Sequence, residues 1–408
     1  MQDDRVTYSL PRWRATRWLA DAGPGVRDDI RVALIGELYG SWPVFAAGAT
    51  NTVAVAAAIA IRQPTAPFIA WFILEFAICL ARLAVLVAAN RAAAAHRQTP
   101  TDLHLLLAMA WSASVGLGVI VSLANGDWVV AALACLSAAA MVGGICFRNF
   151  SAPRLAAMMI LLSLGPIIPG VVLAGQPLLF IVFLQVPLYL AAMTAAAFRL
   201  NKMLVAVMHS ERESDYQARH DALTGLCNRA GFVDALQTRL ADKDDTGPFA
   251  LLFIDLDEFK PINDTFGHTA GDTLLVMVAE CLRNILAATD VIARMGGDEF
   301  LVLANEVTAE QALAIGHRIV EAVTRPYALD QGTSVSVGVS VGIAMSPEHG
   351  ADSEALLTIA DAALYAAKSS GKSCCRMANA ETNLAALRRF NTKNADEAAK
   401  RVGRDSAA

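Results

Sequence analysis

Six long apolar stretches crowd residues 44–198, more than any soluble domain can hide. They lie near Val44–Ile61, Pro67–Ala89, Leu105–Ala124, Trp128–Cys146, Leu155–Gly175 and Leu178–Phe198. Each is roughly 18 to 23 residues long, the length at which a helix crosses the hydrocarbon core of a bilayer. The expectation is an all-α bundle of six transmembrane helices, with lipid as a partner. Basic residues at the ends of the stretches orient it. Arg27 and Arg31 precede the first, Arg91 and Arg97 follow the second, Arg148 and Arg154 the fourth, and Arg199 and Lys202 the sixth. The loops between carry only Arg62, so both termini are expected on the cytoplasmic side. The first forty residues are mixed and arginine-bearing, unlike a cleaved signal peptide.

Glu75 and Arg82 stand seven apart, about two helical turns, and share one face of the second span. Charges there avoid lipid, so the pair is either a ligand or ion site or a polar anchor between helices. Pro166, Pro169 and Pro187 could break helices around a pocket. Six spans would suit a transporter, but the two halves show no internal repeat. Arg199 to His220 continues from the sixth span without Pro or Gly, as a helical stalk would.

Charge and cysteines narrow the function. A net charge of −5 argues against a nucleic-acid binder held by phosphate contacts. The seven cysteines are scattered without metal-ligand spacing, so neither a zinc site nor a disulfide framework is expected; the vicinal Cys374–Cys375 reads as incidental.

After Asp221 the pattern becomes α+β. Phe249–Asp257 is a short apolar run ending in alternating acids, a strand. Thr273–Leu286, Glu310–Val323 and Ser353–Gly371 read as helices, and Thr333–Ser346 as a strand. "VIARM" and "FLVLA" flank Gly296-Gly297-Asp298-Glu299 as a hairpin, because glycines permit positive φ at a turn. Asp255 and Asp257, two apart on a strand, share a face. If the hairpin lies beside them, three or four acids converge, and a hard cation such as Mg²⁺ would neutralise them. On pattern alone, an exposed acidic turn remains the alternative.

Four segments read together go further: "DALTGLCNR" (Asp221–Arg229), "DLDEFKPINDTFGHTAGD" (Asp255–Asp272), "RMGGDEF" (Arg294–Phe300) and "ADAALYAAKSSGK" (Ala360–Lys372). In this order and spacing they resemble the diguanylate cyclase output domain, called GGDEF after its hairpin. The resemblance implies a fold like the palm of nucleotidyl cyclases and polymerases, with a central antiparallel sheet. It implies a homodimer in which two GTP are condensed into cyclic di-GMP, releasing pyrophosphate, with two Mg²⁺ per active site or Mn²⁺ in their place. Carried over residue by residue, it makes Asp255, the Leu256 carbonyl, Asp298 and Glu299 metal ligands, with Asp298 also the proton acceptor. Asn263 and Asp272 would meet the guanine, and Lys260, Lys368 and Lys372 the triphosphate. His268 is either a substrate contact or a structural imidazole, and Arg294 is equally open. The family's Arg-x-x-Asp inhibitory site reads "AATD" here, Ala287 to Asp290, so no arginine-based product inhibition is expected. The expected organisation is a cytoplasmic segment 1–43, a membrane sensor 44–198 in a bacterial inner membrane, a helical linker 199–220, a GGDEF domain 221–377 and a tail 378–408. The rival expectation is a catalytically silent GGDEF module that binds GTP or a partner.

Overall fold

The computed structural model describes residues 7–40, 42–242, 247–329 and 334–379. The expected tail from residue 380 onward, Thr333 and the first six residues lie outside them. The chain divides into two compact units, Met1–Glu211 and Arg212–Ala408.

The first unit is helical: α1 (Arg14–Leu19), α2 (Asp28–Gly40), α3 (Trp42–Arg62), α4 (Ala66–Ala94), α5 (Thr101–Ala124), α6 (Trp128–Asn149), α7 (Pro153–Leu164), α8 (Ile167–Ala174), a 3₁₀ turn at Pro177–Ile181, and α9 (Val182–Arg219). Among the described residues six segments are long and apolar enough to cross a membrane, as expected: α3, α4, α5, α6, α7 with α8, and Pro177–Arg219. Of the three prolines, Pro166 alone breaks a span, separating α7 from α8, because it offers no N–H to continue the ladder. Pro187 stays inside α9, which runs without interruption to Arg219. Asp127 caps α6, accepting from the Val129 and Val130 amides. Asp102, in the first turn of α5, accepts from the Arg12 and Trp13 amides and so ties the chain before α1 to the bundle. Glu75 and Arg82 are both buried inside it.

The second unit continues with α10 (Arg229–Ala241), β1 (Phe249–Asp257), α11 (Phe259–Phe266), α12 (His268–Ile285), β2 (Val291–Gly296), β3 (Glu299–Ala304), α13 (Ala309–Val323), β4 (Tyr327–Ala328), β5 (Ser334–Val335), β6 (Gly338–Ser346), α14 (Ser353–Ser369) and β7 (Cys375–Met377). The main sheet has the order β2-β3-β1-β6-β7. Its first four strands are antiparallel as expected, but β7 adds to β6 in parallel, so the sheet is mixed. The expected single strand over Thr333–Ser346 is two, since Ser334–Val335 pairs with β4 before β6 begins at Gly338.

Alternation along β1 builds two cores. Ala250, Leu252 and Ile254 pack with α12 residues Leu274, Leu275 and Val278 and with Ile319 of α13. Phe249 and Leu251 pack with Phe232 of α10 and with Leu356, Ile359 and Ala360 of α14. The pleat therefore sends Asp255 and Asp257 to the α14 side. There α14 lies almost on the backbone of β6: a Cβ on Gly342 would collide with the main chain of Ala360 and Leu364. All seven cysteines are free.

Candidate active site

Asp255 sits near the end of the central strand, opposite Glu299 on β3 and Ser340 on β6. One step on, the Leu256 amide donates to the Asp298 carbonyl across 3.2 Å. The strand end and the hairpin turn are thus neighbours, and Asp255, Leu256, Asp298 and Glu299 come together. Gly297 adopts φ +54 in the turn, a conformation that suits glycine.

Lys368, one turn beyond Leu364 on α14, brings its Nζ to 2.7 Å from Asp255 Oδ1. Burial pushes the Asp255 carboxyl up; Lys368 pulls it down less strongly, and Asp298 and Asp257 add to the rise. Burial also raises Glu299, helped by Asp255, Asp298 and Asp361. These acids feel one another's charge.

Asp257 does not join them. It accepts from Ser340 Oγ at 2.9 Å and from the Ser373 amide at 2.9 Å, so its oxygens hold the loop after α14. That loop places Gly371, Lys372 and Ser373 successively at φ +119, +62 and +49. Two non-glycine residues in the left-handed region are strained by about 1–3 kcal/mol each, and the Asp257 bonds keep them there. The strain aims Lys372 back at the strand end, where its Nζ lies 3.0 Å from Glu258 Oε1. The expected convergence of three or four acids is accordingly looser: among the described residues no three acidic, histidine or cysteine side chains already gather as a metal-holding group.

Arg294 resolves as a clamp. Its Nε and Nη2 donate to the Gly297 carbonyl at 3.0 and 2.8 Å, and its Nη1 donates to both oxygens of Asp221 at 3.1 and 3.2 Å. Asp221 also accepts from the Thr224 amide and hydroxyl. The "DALTGL" segment thus fixes the far side of the turn, and Cys227 bonds the β2 backbone at Ile292 and Arg294.

Asn263 on α11 meets α12 at Gly271, where any Cβ would strike its side-chain oxygen. Asp272 follows Gly271 directly in the chain. Lys260, His268 and Asp272 are exposed and form no hydrogen bond or ion pair among the described residues. Asp290 accepts from the Ala287 and Asn305 amides, bracing the connection from α12 to β2. Sequence reasoning missed Ser340, Ser373, Glu258 and Asp361. Ser340 alone carried a signal, a polar residue in phase with Asp255 on an apolar strand.

Residues 218–374 match the family described as diguanylate cyclase, GGDEF domain. The chain is 44% identical over 165 residues to diguanylate cyclase TpbB of Pseudomonas aeruginosa, covering 40% of this chain and 38% of that protein. It is 38% identical over 175 residues to cyclic di-GMP phosphodiesterase NbdA of the same species, covering 43% and 22%. Among solved structures, the isolated GGDEF domain of TpbB is 42% identical and covers 40% of this chain and 96% of that one, with a TM-score of 0.39. The chain spans well under half the length of these two curated relatives, and the matched stretch lies in the C-terminal part of the chain. On that stretch, residues 218–374 belong to the GGDEF domain family and have diguanylate cyclases among their homologues.

Proposed function

We propose that the chain is a membrane-bound diguanylate cyclase that condenses two GTP into cyclic di-GMP and releases two pyrophosphates. It would work as a homodimer from a bacterial inner membrane, with both termini cytoplasmic. The division proposed is 1–43, 44–198, 199–220, 221–377 and 378–408. The observation that carries the reading is Asp255 facing Glu299 across the β1–β3 ladder, with the Asp298 carbonyl bonded to the next amide.

Each GTP would present its 3′-oxygen to the α-phosphorus of the other. The new P–O bond forms as the bond to pyrophosphate breaks, and the 3′-hydroxyl proton passes to the Asp298 carboxylate. Lys260, Lys368 and Lys372 would meet the triphosphate, as cations do. Asn263 and Asp272 would read the guanine, an acid suiting its N1–H and exocyclic amine; His268 lies in the same segment. A donor set of oxygens alone, in which burial and then neighbouring acids raise the Asp255 and Glu299 carboxyls, fits Mg²⁺ or Mn²⁺. Asp255, the Leu256 carbonyl, Asp298 and Glu299 would hold it, and when bound it would neutralise charge on the phosphates. Lys368 would then exchange Asp255 for phosphate.

A second reading is supported by that same lysine. With Lys368 on Asp255 the acids already have a counter-charge, as a silent GGDEF module binding GTP or a partner would allow. Full-length protein given GTP and Mg²⁺ decides: the cyclase forms cyclic di-GMP, and Asp298→Ala lowers the rate about 10²–10⁴-fold. Binding of GTP without product establishes the silent module instead.

A further inference from the structure

The first unit contains two buried arginines that the cyclase reading does not use. Arg82 on α4 is 6% exposed and Arg148 near the end of α6 is 7% exposed. One ring joins them: Phe45 of α3 sits under both guanidiniums, at 5.3 and 4.9 Å, and Arg82 also lies 4.7 Å from the Trp111 ring. Both arginines line one cavity of about 120 Å³, together with Phe45, Trp111 and Met141. Arg148 donates one bond, to the Leu38 carbonyl at 3.3 Å. The Nε of each arginine has no hydrogen-bond partner among the described residues. Neither is ion-paired among the described residues, and Glu75, the acid nearest in sequence to Arg82, does not line the cavity.

Two buried positive charges with no acid hydrogen-bonded to them among the described residues are costly, and ring faces and the more distant charge of Glu75 offset only part of that cost. A guanidinium is a planar fork matched to an oxyanion and keeps its charge when buried. The remaining wall is largely hydrocarbon, which favours a ligand with an apolar body over a bare ion. A cavity of about 150 Å³ takes a benzene ring, so this volume suits a short chain bearing one head group. We infer that the Arg82–Arg148 cavity is a binding site for a small organic carboxylate, its head between the guanidiniums and its tail against Met141 and Phe45. The inference concerns binding alone and stands whether or not the second unit turns over GTP.

The test is thermal melting of the full-length protein in phosphatidylcholine nanodiscs, followed by tryptophan fluorescence, with butyrate as probe. A saturable rise of about 2 °C or more at ten times the half-saturating concentration is expected. Butyramide, the neutral isostere, and inorganic phosphate, an oxyanion without a tail, should give less than a third of it. Arg82→Gln and Arg148→Gln should each abolish the response. Gly144→Leu, which keeps both charges and fills the space, should abolish it too and covers the case in which an arginine variant fails to fold. No response to butyrate, an equal response to butyramide or phosphate, or a response surviving in the foldable variants overturns the inference. A response seen only on changing to phosphatidylglycerol nanodiscs overturns it as well, in favour of a lipid headgroup.

Discussion

The molecule buries charge in two places and handles it in opposite ways. At the end of β1 the acids are met: Asp257 by Ser340 and Ser373, Asp255 by Lys368. Between α3, α4 and α6 the bases meet no acid among the described residues; Arg82 and Arg148 lean on aromatic rings and share a void, and Arg148 gives one bond to the Leu38 carbonyl. A charge paired with a local counter-group has a fixed place in the native structure, whereas one that leans on rings beside a void leaves room for an added group. The two sites therefore should answer differently to the same kind of substitution.

The largest contrast is chemical. Asp255→Asn should lower the rate of cyclic di-GMP formation by about 10²-fold or more, the several kcal/mol that a metal-held oxygen contributes, without unfolding the domain. An unchanged rate would detach the acid site from catalysis. In the first unit, removing a charge should have the reverse sign: Arg82→Met should stabilise the ligand-free protein by about 1–4 kcal/mol, because it exchanges a buried charge with no acid hydrogen-bonded to it for hydrocarbon. A lower melting temperature there would show that Arg82 already has its partner.

Arg294→Ala should cost about 2 kcal/mol, since it strips charge-assisted bonds from Gly297 and Asp221. Its pH signature is distinctive. Burial pushes Asp221 up, but bonds from Thr224 and Arg294 outweigh it and hold the carboxyl below its ordinary 3.8. The folded state then binds fewer protons than the unfolded chain, so stability is present above that value and drains away as pH falls below it. In Arg294→Ala this acid-limb loss should shrink in urea titrations; an unaltered limb would assign the bonds no energy. The smallest effect belongs to an ordinary cap. Thr308→Ala removes the capping box of α13 and should cost about 1 kcal/mol with no change in rate, a reference for unfolding without chemistry.

What could be read in advance follows the same divide. The extent of β1 and the face shared by Asp255 and Asp257 follow from apolar runs and a period of two, both written locally, whereas the side of the sheet they face does not. The hairpin's position beside them needed one further premise, the antiparallel ladder. Asp257 looked like a fellow ligand because its partners stand 83 and 116 residues away. The parallel β7 is three residues long, too short to leave a periodic trace. Arg82 was visible as a buried charge from its span alone, yet its companion Arg148 read as a flanking, orientation-setting base. Only the packing of α3 between α4 and α6 makes the two neighbours.

Arg294 reaches both Asp221, two residues beyond α9, and the turn that carries Asp298, through one rigid plane of nitrogens. The turn is thereby tied to Asp221: where Asp221 is carried, the Gly297 carbonyl is drawn along, and the Asp298 carboxylate, the proposed proton acceptor, with it. A displacement of the chain at the end of that helix needs no long relay to alter the chemistry, only a single side chain acting as a tie rod.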